Sequence, residues 1–225
     1  MSSTDEASAV RRAGRRARVS REQVLDAALG LADEGGLAAL TMASVGARLG
    51  VEAMSLYRHI GNKEEMLDGL VDRVFAEIEV PADAPNWRDA LRRRAVSAHA
   101  ALRRHPWAIG LMESRSQPGP ATLGQHDAMV AILLRAGFNG RGAVRVYNVL
   151  DSYIYGFALQ ETTLPFSSPE EMASMSEQML AAVADAYPHL ASVQRELVGS
   201  GFDYADEFEA GLDIILGALP ESASR

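Results

Sequence analysis

The 225-residue sequence has no cysteine, which excludes disulfide frameworks, thiolate metal sites and cysteine nucleophiles. Histidine and carboxylates are the only metal ligands left. No run of about 18 apolar residues occurs, which excludes a membrane-crossing helix. The N-terminus lacks the apolar core of a secretory signal, so a cytoplasmic location with no membrane partner is expected. Nothing alternates apolar and polar residues as a strand does, and there is no internal repeat. An excess of positive charge is also missing: 22 basic against 30 acidic side chains give a net charge of -8 and a pI of about 5.2, which excludes a uniformly basic coat for nucleic acid. Gly-x-Ser-x-Gly, phosphate-loop and His-Glu-x-x-His patterns are absent and no paired catalytic carboxylates stand out, so no enzyme is expected. His99, His105 and His126 are spaced too irregularly to form a helical ligand pair, so neither a metal nor a cofactor is expected.

What is present is the composition of a folded domain, 48% hydrophobic and 23% charged. Its charge is segregated. Residues 1–65 hold nine basic and nine acidic side chains, and residues 66–225 hold thirteen and twenty-one, so the second part carries the whole excess. Between Val10 and Arg21 lie Arg11, Arg12, Arg15, Arg16, Arg18 and Arg21 with no acid. Residues 1–19 are expected to be a disordered basic arm, which serves either to attract a polyanion or simply as a solubilising tail.

Helical periodicity begins after the arm. Ser20 and Gln23 have capping-box spacing, and Val24, Leu25, Ala28, Leu31 and Ala32 follow on one face, predicting a helix from Ser20 to Glu34. Gly35 and Gly36 end it, Leu37 and Leu40 plug the core, and Thr41 caps a short helix through Leu49. Gly50 permits a tight turn into a third helix, Glu52 to Ile60, with Leu56 and Ile60 inward. Two short helices joined by a glycine turn suggest a helix-turn-helix. Asn62 with Glu65 then caps a helix from Lys63 to Glu79, with Met66, Leu67, Leu70, Val71, Val74, Phe75 and Ile78 as its apolar stripe. Further helices are expected around Leu91 to Leu102, Thr122 to Gly137, Arg141 to Glu161, Pro169 to Tyr187 and Phe202 to Leu219, with a flexible break at Val198 to Gly201. The fold class is therefore all-α: a three-helix DNA-binding domain at 20–66 followed by a larger helical domain at 67–225.

In a helix-turn-helix the second paired helix enters the major groove, so its outward residues must reach base edges. Ser55, Tyr57, Arg58 and His59 meet that need, while Ala53 and Met54 suit a thymine methyl. Lys63, at the start of the next helix, combines its ammonium with backbone amides as a phosphate clamp. Double-stranded operator DNA is the partner these residues imply. Arg16, Arg18, Thr41, Met42 and Ala43 complete the candidate DNA-facing set.

The run Leu40, Thr41, Arg48, Leu49, Gly50, Val51, then Leu56, Tyr57, Arg58, His59, then Asn62, Lys63 and Leu67 strongly resembles the DNA-binding domain of TetR-type, tetracycline-repressor-like transcriptional regulators. The match covers about residues 20–70. Asn86, Trp87, Arg88, Asp89, Leu91, Arg92, Gly137 and Phe138 extend it, more loosely, into the all-helical regulatory core of the tetracycline-repressor branch. In that alignment Ala43 replaces a groove-reading Arg, and Ala53 and Met54 replace the Gln and Pro that open the recognition helix, which implies a different operator. Met112 stands where the repressor has its metal-binding His, and Arg115 replaces a Thr, so a magnesium-dependent effector is not implied.

Effector candidates are Trp107, Met112, Met129, Tyr147, Asp151 and Tyr155. Apolar and aromatic side chains at helical spacing are either ligand-lining or plain core. Asp151 lies four residues from both tyrosines, and it is either an exposed acid or a buried one that meets a hydroxyl or a ligand donor. Val144 and Ile154 on one helix, with Phe208, Leu212, Ile215 and Leu219 on the last, form apolar stripes that fit either a protomer core or an interface. The resemblance favours an interface, since these two helices pair with their symmetry mates in that family. The expected protein is a homodimeric, ligand-responsive repressor that binds a pseudo-palindromic operator and is released by a small-molecule effector. The alternative is a helical-bundle carrier or enzyme that retains a helix-turn-helix.

Overall fold

The computed structural model describes residues 19–166, 168–200, 202 and 204–220. Among them the regular structure is ten α-helices and two 3-10 turns. The chain divides into two compact units between Val71 and Asp72. Arg16 and Arg18, with the rest of the expected basic arm up to residue 18, lie outside the described residues.

The first unit is built by its caps. α1 (Arg21–Ala39) starts at a reciprocal capping box in which the Ser20 hydroxyl accepts from the Gln23 amide (3.2 Å) and the Gln23 side chain accepts from the Ser20 amide (3.0 Å). Gly36, at φ 65°, ends its regular part in a conformation that costs a Cβ-bearing residue energy. α2 (Met42–Leu49) has a second box, Thr41 with Ser44, and stops at left-handed Gly50. α3 is only Ala53–Leu56. The helix expected from Glu52 to Ile60 is therefore shorter, because the chain tightens after Leu56 into a turn whose His59 and Ile60 amides both donate to the Leu56 carbonyl. α4 (Lys63–Ala76) begins in this unit and ends in the next. It stops before the expected Glu79, its last amides shifting to three-residue hydrogen bonds at Glu77 and Ile78. Val24, Leu25, Ala28, Leu40, Val45, Leu56, Ile60, Met66 and Leu70 form the core.

The second unit packs α5 (Trp87–Arg104), α6 (Pro120–Arg135), α7 (Gly140–Thr163) and α10 (Glu207–Ala218) together, with α8 (Pro169–Val183) lying on α9 (Pro188–Ser200). α9 has no counterpart among the helices expected from the sequence, and in place of the break expected at Val198 to Gly201 it runs on to Ser200. In place of one helix from Phe202, a 3-10 turn, Tyr204–Asp206, precedes α10.

α10 is held tightly to the protomer. Arg88 donates to the carbonyls of Leu216 (3.2 Å) and Leu219 (2.7 Å), satisfying the helix C-terminus. The Tyr153 hydroxyl donates to the Phe208 carbonyl (2.9 Å). Three residues of the expected dimerisation stripe are buried within the protomer. Ile154, Phe208 and Leu212 are 0, 2 and 0% exposed in the single chain; on α10, which contacts α5 and α7, the buried face runs through Phe208, Leu212 and Leu216 in steps of four. Ile215 and Leu219 are half-buried, while Val144 is exposed.

α6 is joined to the segment that ends α4. Its N-cap, Gly119, has no capping side chain. Asp72 caps it instead, accepting from the Thr122 amide (2.8 Å) and hydroxyl (3.0 Å). A Cβ on Gly119 would lie 2.3 Å from the Asp72 carboxyl carbon, so a larger residue there would push the capping carboxylate aside. Gln125 in turn donates to the carbonyls of Phe75 (3.3 Å), in the last turn of α4, and of Ile78, just beyond it.

Candidate functional site

The geometry of α2 and α3 depends on a contact that sequence reading did not single out. A Cβ on Gly46 would stand 2.8 Å from the Val51 carbonyl oxygen and 3.1 Å from the Ala53 amide nitrogen, both backbone. Only glycine lets the turn close this tightly on α2, and the Val51 amide then donates to the Gly46 carbonyl at 2.9 Å. The signal was a glycine placed inside a helix, where propensity alone would favour alanine.

With Leu56 and Ile60 fully buried beneath it, the α3 segment turns Met54 (74% exposed), Tyr57 and Arg58 to solvent. Ala53, Ser55 and His59 are half-buried. Ser55 is partly committed, its hydroxyl donating to the Glu52 carbonyl at 2.7 Å. Thr41 and Ala43 are exposed at the start of α2 and Met42 is half-buried; the Thr41 hydroxyl serves the cap by accepting from the Ser44 amide (3.0 Å). Lys63 is exposed and donates to the Leu37 carbonyl at 3.3 Å. Beside it, the Asn62 side chain accepts from the Glu65 amide (2.8 Å) and Glu65 accepts from the Gly61 amide (2.7 Å). Cation and exposed polar groups thus stand on one short, well-braced segment.

The second constellation is buried. Asp151, four residues from Tyr147 and Tyr155, forms an ion pair with Arg94 of α5, and the two are 4% and 1% exposed. Tyr155 points its hydroxyl at the other Asp151 oxygen, at 3.5 Å. The Arg94 guanidinium carbon lies 5.5 Å from the centre of the Tyr147 ring. The ring of His126 meets Tyr147 edge-on at 5.2 Å and Phe75 at 5.7 Å. Burial alone would push the Arg94 guanidinium down, yet Asp151 holds it above its ordinary value. Burial, and then the Asp151 charge, push both tyrosine hydroxyls above theirs, so they stay protonated.

Several polar atoms here have no hydrogen-bond partner among the described residues: Arg94 Nε and Nη2 and His126 Nε2. Tyr147 Oη makes no aligned bond either, although the Asp151 carboxylate is close enough to act on it. The structure therefore joins Tyr147, Asp151 and Tyr155 and adds Arg94, which sequence reading overlooked although it lies three residues from Leu91 on an inward face. Met112 and Met129 are buried, and Trp107 meets His105 edge-on at 6.1 Å. A divalent ion does not fit. Among the described residues no three of His, Cys, Asp and Glu converge on a possible metal position, and the cationic Arg94 occupies the centre of the polar cluster.

A helix-turn-helix on a capped three-helix scaffold, ahead of a helical unit with a polar cluster in its core, defines a DNA-binding transcriptional regulator. Residues 24–70 match the model of the bacterial regulatory proteins of the tetR family. Residues 80–221 match that of the tetracyclin repressor-like C-terminal domain. The chain belongs to this family. It is 33% identical over 210 residues to the HTH-type transcriptional repressor DrrR1 of Streptomyces coeruleorubidus, covering 88% of this chain and 76% of that one. It is 28% identical over 206 residues to the class C tetracycline repressor protein of Escherichia coli, with 90 and 91% covered. The crystal structure of the Streptomyces coelicolor TetR family protein ActR in complex with actinorhodin superposes with a TM-score of 0.75 at 25% identity, with 90 and 97% covered.

Proposed function

We propose that this regulator is a repressor that binds a pseudo-palindromic operator as a homodimer and leaves it when a small organic effector enters the helical unit. The observation that carries the DNA reading is the α2–turn–α3 segment, closed by Gly46 and presenting Met54, Tyr57 and Arg58 outward. Ser55, Tyr57, Arg58 and His59 read base edges, Ala53 and Met54 make apolar contacts, and Thr41, Met42, Ala43 and Lys63 lie along the backbone. Arg16 and Arg18 add phosphate contacts from the arm. The repressor name of DrrR1 and the organic ligand of ActR support both halves of the reading. A duplex partner implies work in the cytoplasm, by binding and not by catalysis.

One short recognition helix reads only a few base pairs, so useful specificity needs two copies about 34–36 Å apart. The exposed apolar side chains Val144 and Leu159 on α7 and Ile214 on α10 offer the surface for a second copy. An effector that binds better to a protomer with a different spacing of the recognition helices shifts the population off DNA. Its route to α4 is supported by two contacts of α6, Gln125 on the Phe75 carbonyl and His126 on the Phe75 ring.

The test is selection of bound sites from random duplexes, followed by anisotropy on the selected site. Lys63→Ala should weaken every duplex alike and lower the salt slope by about one unit, while Arg58→Ala should relax base preference. Unchanged affinity and selectivity in both variants would refute the assignment. Binding without salt dependence would instead favour a helical carrier.

A further inference from the structure

The buried pair Arg94–Asp151 carries information about the effector itself. Buried N–H groups in folded proteins almost always find an acceptor, and Arg94 has two buried nitrogens, Nε and Nη2, with none among the described residues. These are the adjacent nitrogens of one edge of the guanidinium, whose N–H bonds run parallel and match two oxygens side by side. Asp151 occupies Nη1 on the other edge. The site is also aromatic: the Arg94 guanidinium carbon lies 5.5 Å from the centre of the Tyr147 ring, and His126 meets that ring edge-on.

The charge of the site decides between the oxygen pairs that fit. Arg94 and Asp151 cancel, and the flanking tyrosines stay neutral. Glu113 adds a negative field felt at both tyrosines. A carboxylate on the free edge would leave one buried negative charge without a counter-ion, which is costly. Two uncharged acceptor oxygens would meet the same two donors and leave the balance at zero.

On the reading that this unit binds an effector, we propose that Arg94–Asp151 is a specificity dyad that selects an aromatic effector with an uncharged edge of two acceptor oxygens and rejects the corresponding carboxylate. Arg94 supplies the fork. Asp151 holds it in place and neutralises it, so that removing the Asp151 charge should invert the preference.

Calorimetric titration of the full chain with three naphthalene-based probes tests this: acenaphthenequinone, a 1,2-diketone, with 2-naphthoate and 2-ethylnaphthalene. The wild type should bind the diketone at least about tenfold more tightly than either of the others. Asp151→Asn should reverse the order in favour of naphthoate by a similar factor. The double variant Arg94→Met, Asp151→Leu removes both charges without stranding either, and should bind diketone and hydrocarbon alike. A wild-type preference for naphthoate, equal binding of all three, or no binding of any at millimolar concentration would overturn the proposal. If Asp151→Asn does not fold by circular dichroism, the double variant decides: retained discrimination overturns the dyad and lost discrimination supports it. Salt-dependent duplex binding, measured on the same samples, separates the two failures, because intact DNA binding with failed probe selectivity leaves the regulator standing and removes only the dyad.

Discussion

Replacing Gly46 by alanine tests the packing that orients the recognition segment. Two terms oppose each other. Alanine gains up to about 1 kcal/mol over glycine in a helix interior. Against this, the new methyl carbon would lie 2.8 Å from the Val51 carbonyl oxygen, 3.1 Å from the Ala53 amide nitrogen and 3.3 Å from the Ala53 Cα. All three are backbone atoms of the turn and of α3, so relief requires the recognition segment to move away from α2. Overpacking of this kind costs about 1–3 kcal/mol, and the net effect is a loss of up to about 2 kcal/mol. Gly30→Ala is the control, since its Cβ meets only the end of the Arg48 side chain, at 3.0 Å, and should keep most of the helix gain. With about 2–4 °C per kcal/mol for a chain of this size, thermal unfolding should place Gly46→Ala below the wild type and Gly30→Ala level with it or above. Duplex affinity should fall only in Gly46→Ala. If Gly46→Ala matched Gly30→Ala in both stability and DNA binding, the close approach of turn and α2 would not be what positions α3.

Asp72→Ala removes the surrogate cap of α6 and should cost about 1 kcal/mol, read as a lower midpoint in urea, while Asp72→Asn should recover part of it; no change in either would refute the cap. Burial pushes the Glu77 carboxyl up, but Arg104 and His105 more than offset this and hold it below its ordinary value of 4.5. Its contribution is therefore fully present above pH 4.5 and is lost as pH falls through the lower folded value. The gap in unfolding free energy between wild type and Glu77→Gln should shrink on acidification from pH 7 to below 4; a constant gap would contradict the ion pairs. Ile214, 75% exposed, and Leu212, fully buried, are two residues apart on α10: Ile214→Asp should give folded monomers in sedimentation, whereas Leu212→Asp should unfold the protein. A folded dimer in Ile214→Asp would exclude that face as the interface.

Local chemistry made much of the first unit legible. Ser20 with Gln23, Thr41 at a helix start, Gly50 at a left-handed stop and Asn62 before Lys63 are signals read within a few residues, and the helices begin or end at each of them. Legibility was poorer where distant residues decide. The spacing of Phe208 and Leu212 marks an apolar face but not its partner, and only the packing of α5 and α7 against α10 showed that face to be internal. α9 was missed because Pro188 reads as a terminator after Tyr187, although a proline in the first turn of a new helix lacks only a donor that has no partner there.

The sequence by itself determined that the protein is all-α, that a short glycine-turned pair of helices precedes a longer helical region, and that Tyr57, Arg58, His59 and Lys63 are chemistry suited to DNA. These properties follow from periodicity, caps and turn residues, which act over one or two helical turns. Tertiary structure alone decided that Asp72 caps a helix about fifty residues away, that Gly46 must be glycine, and that Asp151 faces Arg94. An ion pair across 57 residues leaves no periodic trace in the chain, because it arises from two helices meeting in space, and burial then turns an ordinary arginine and aspartate into the polar centre of an apolar core.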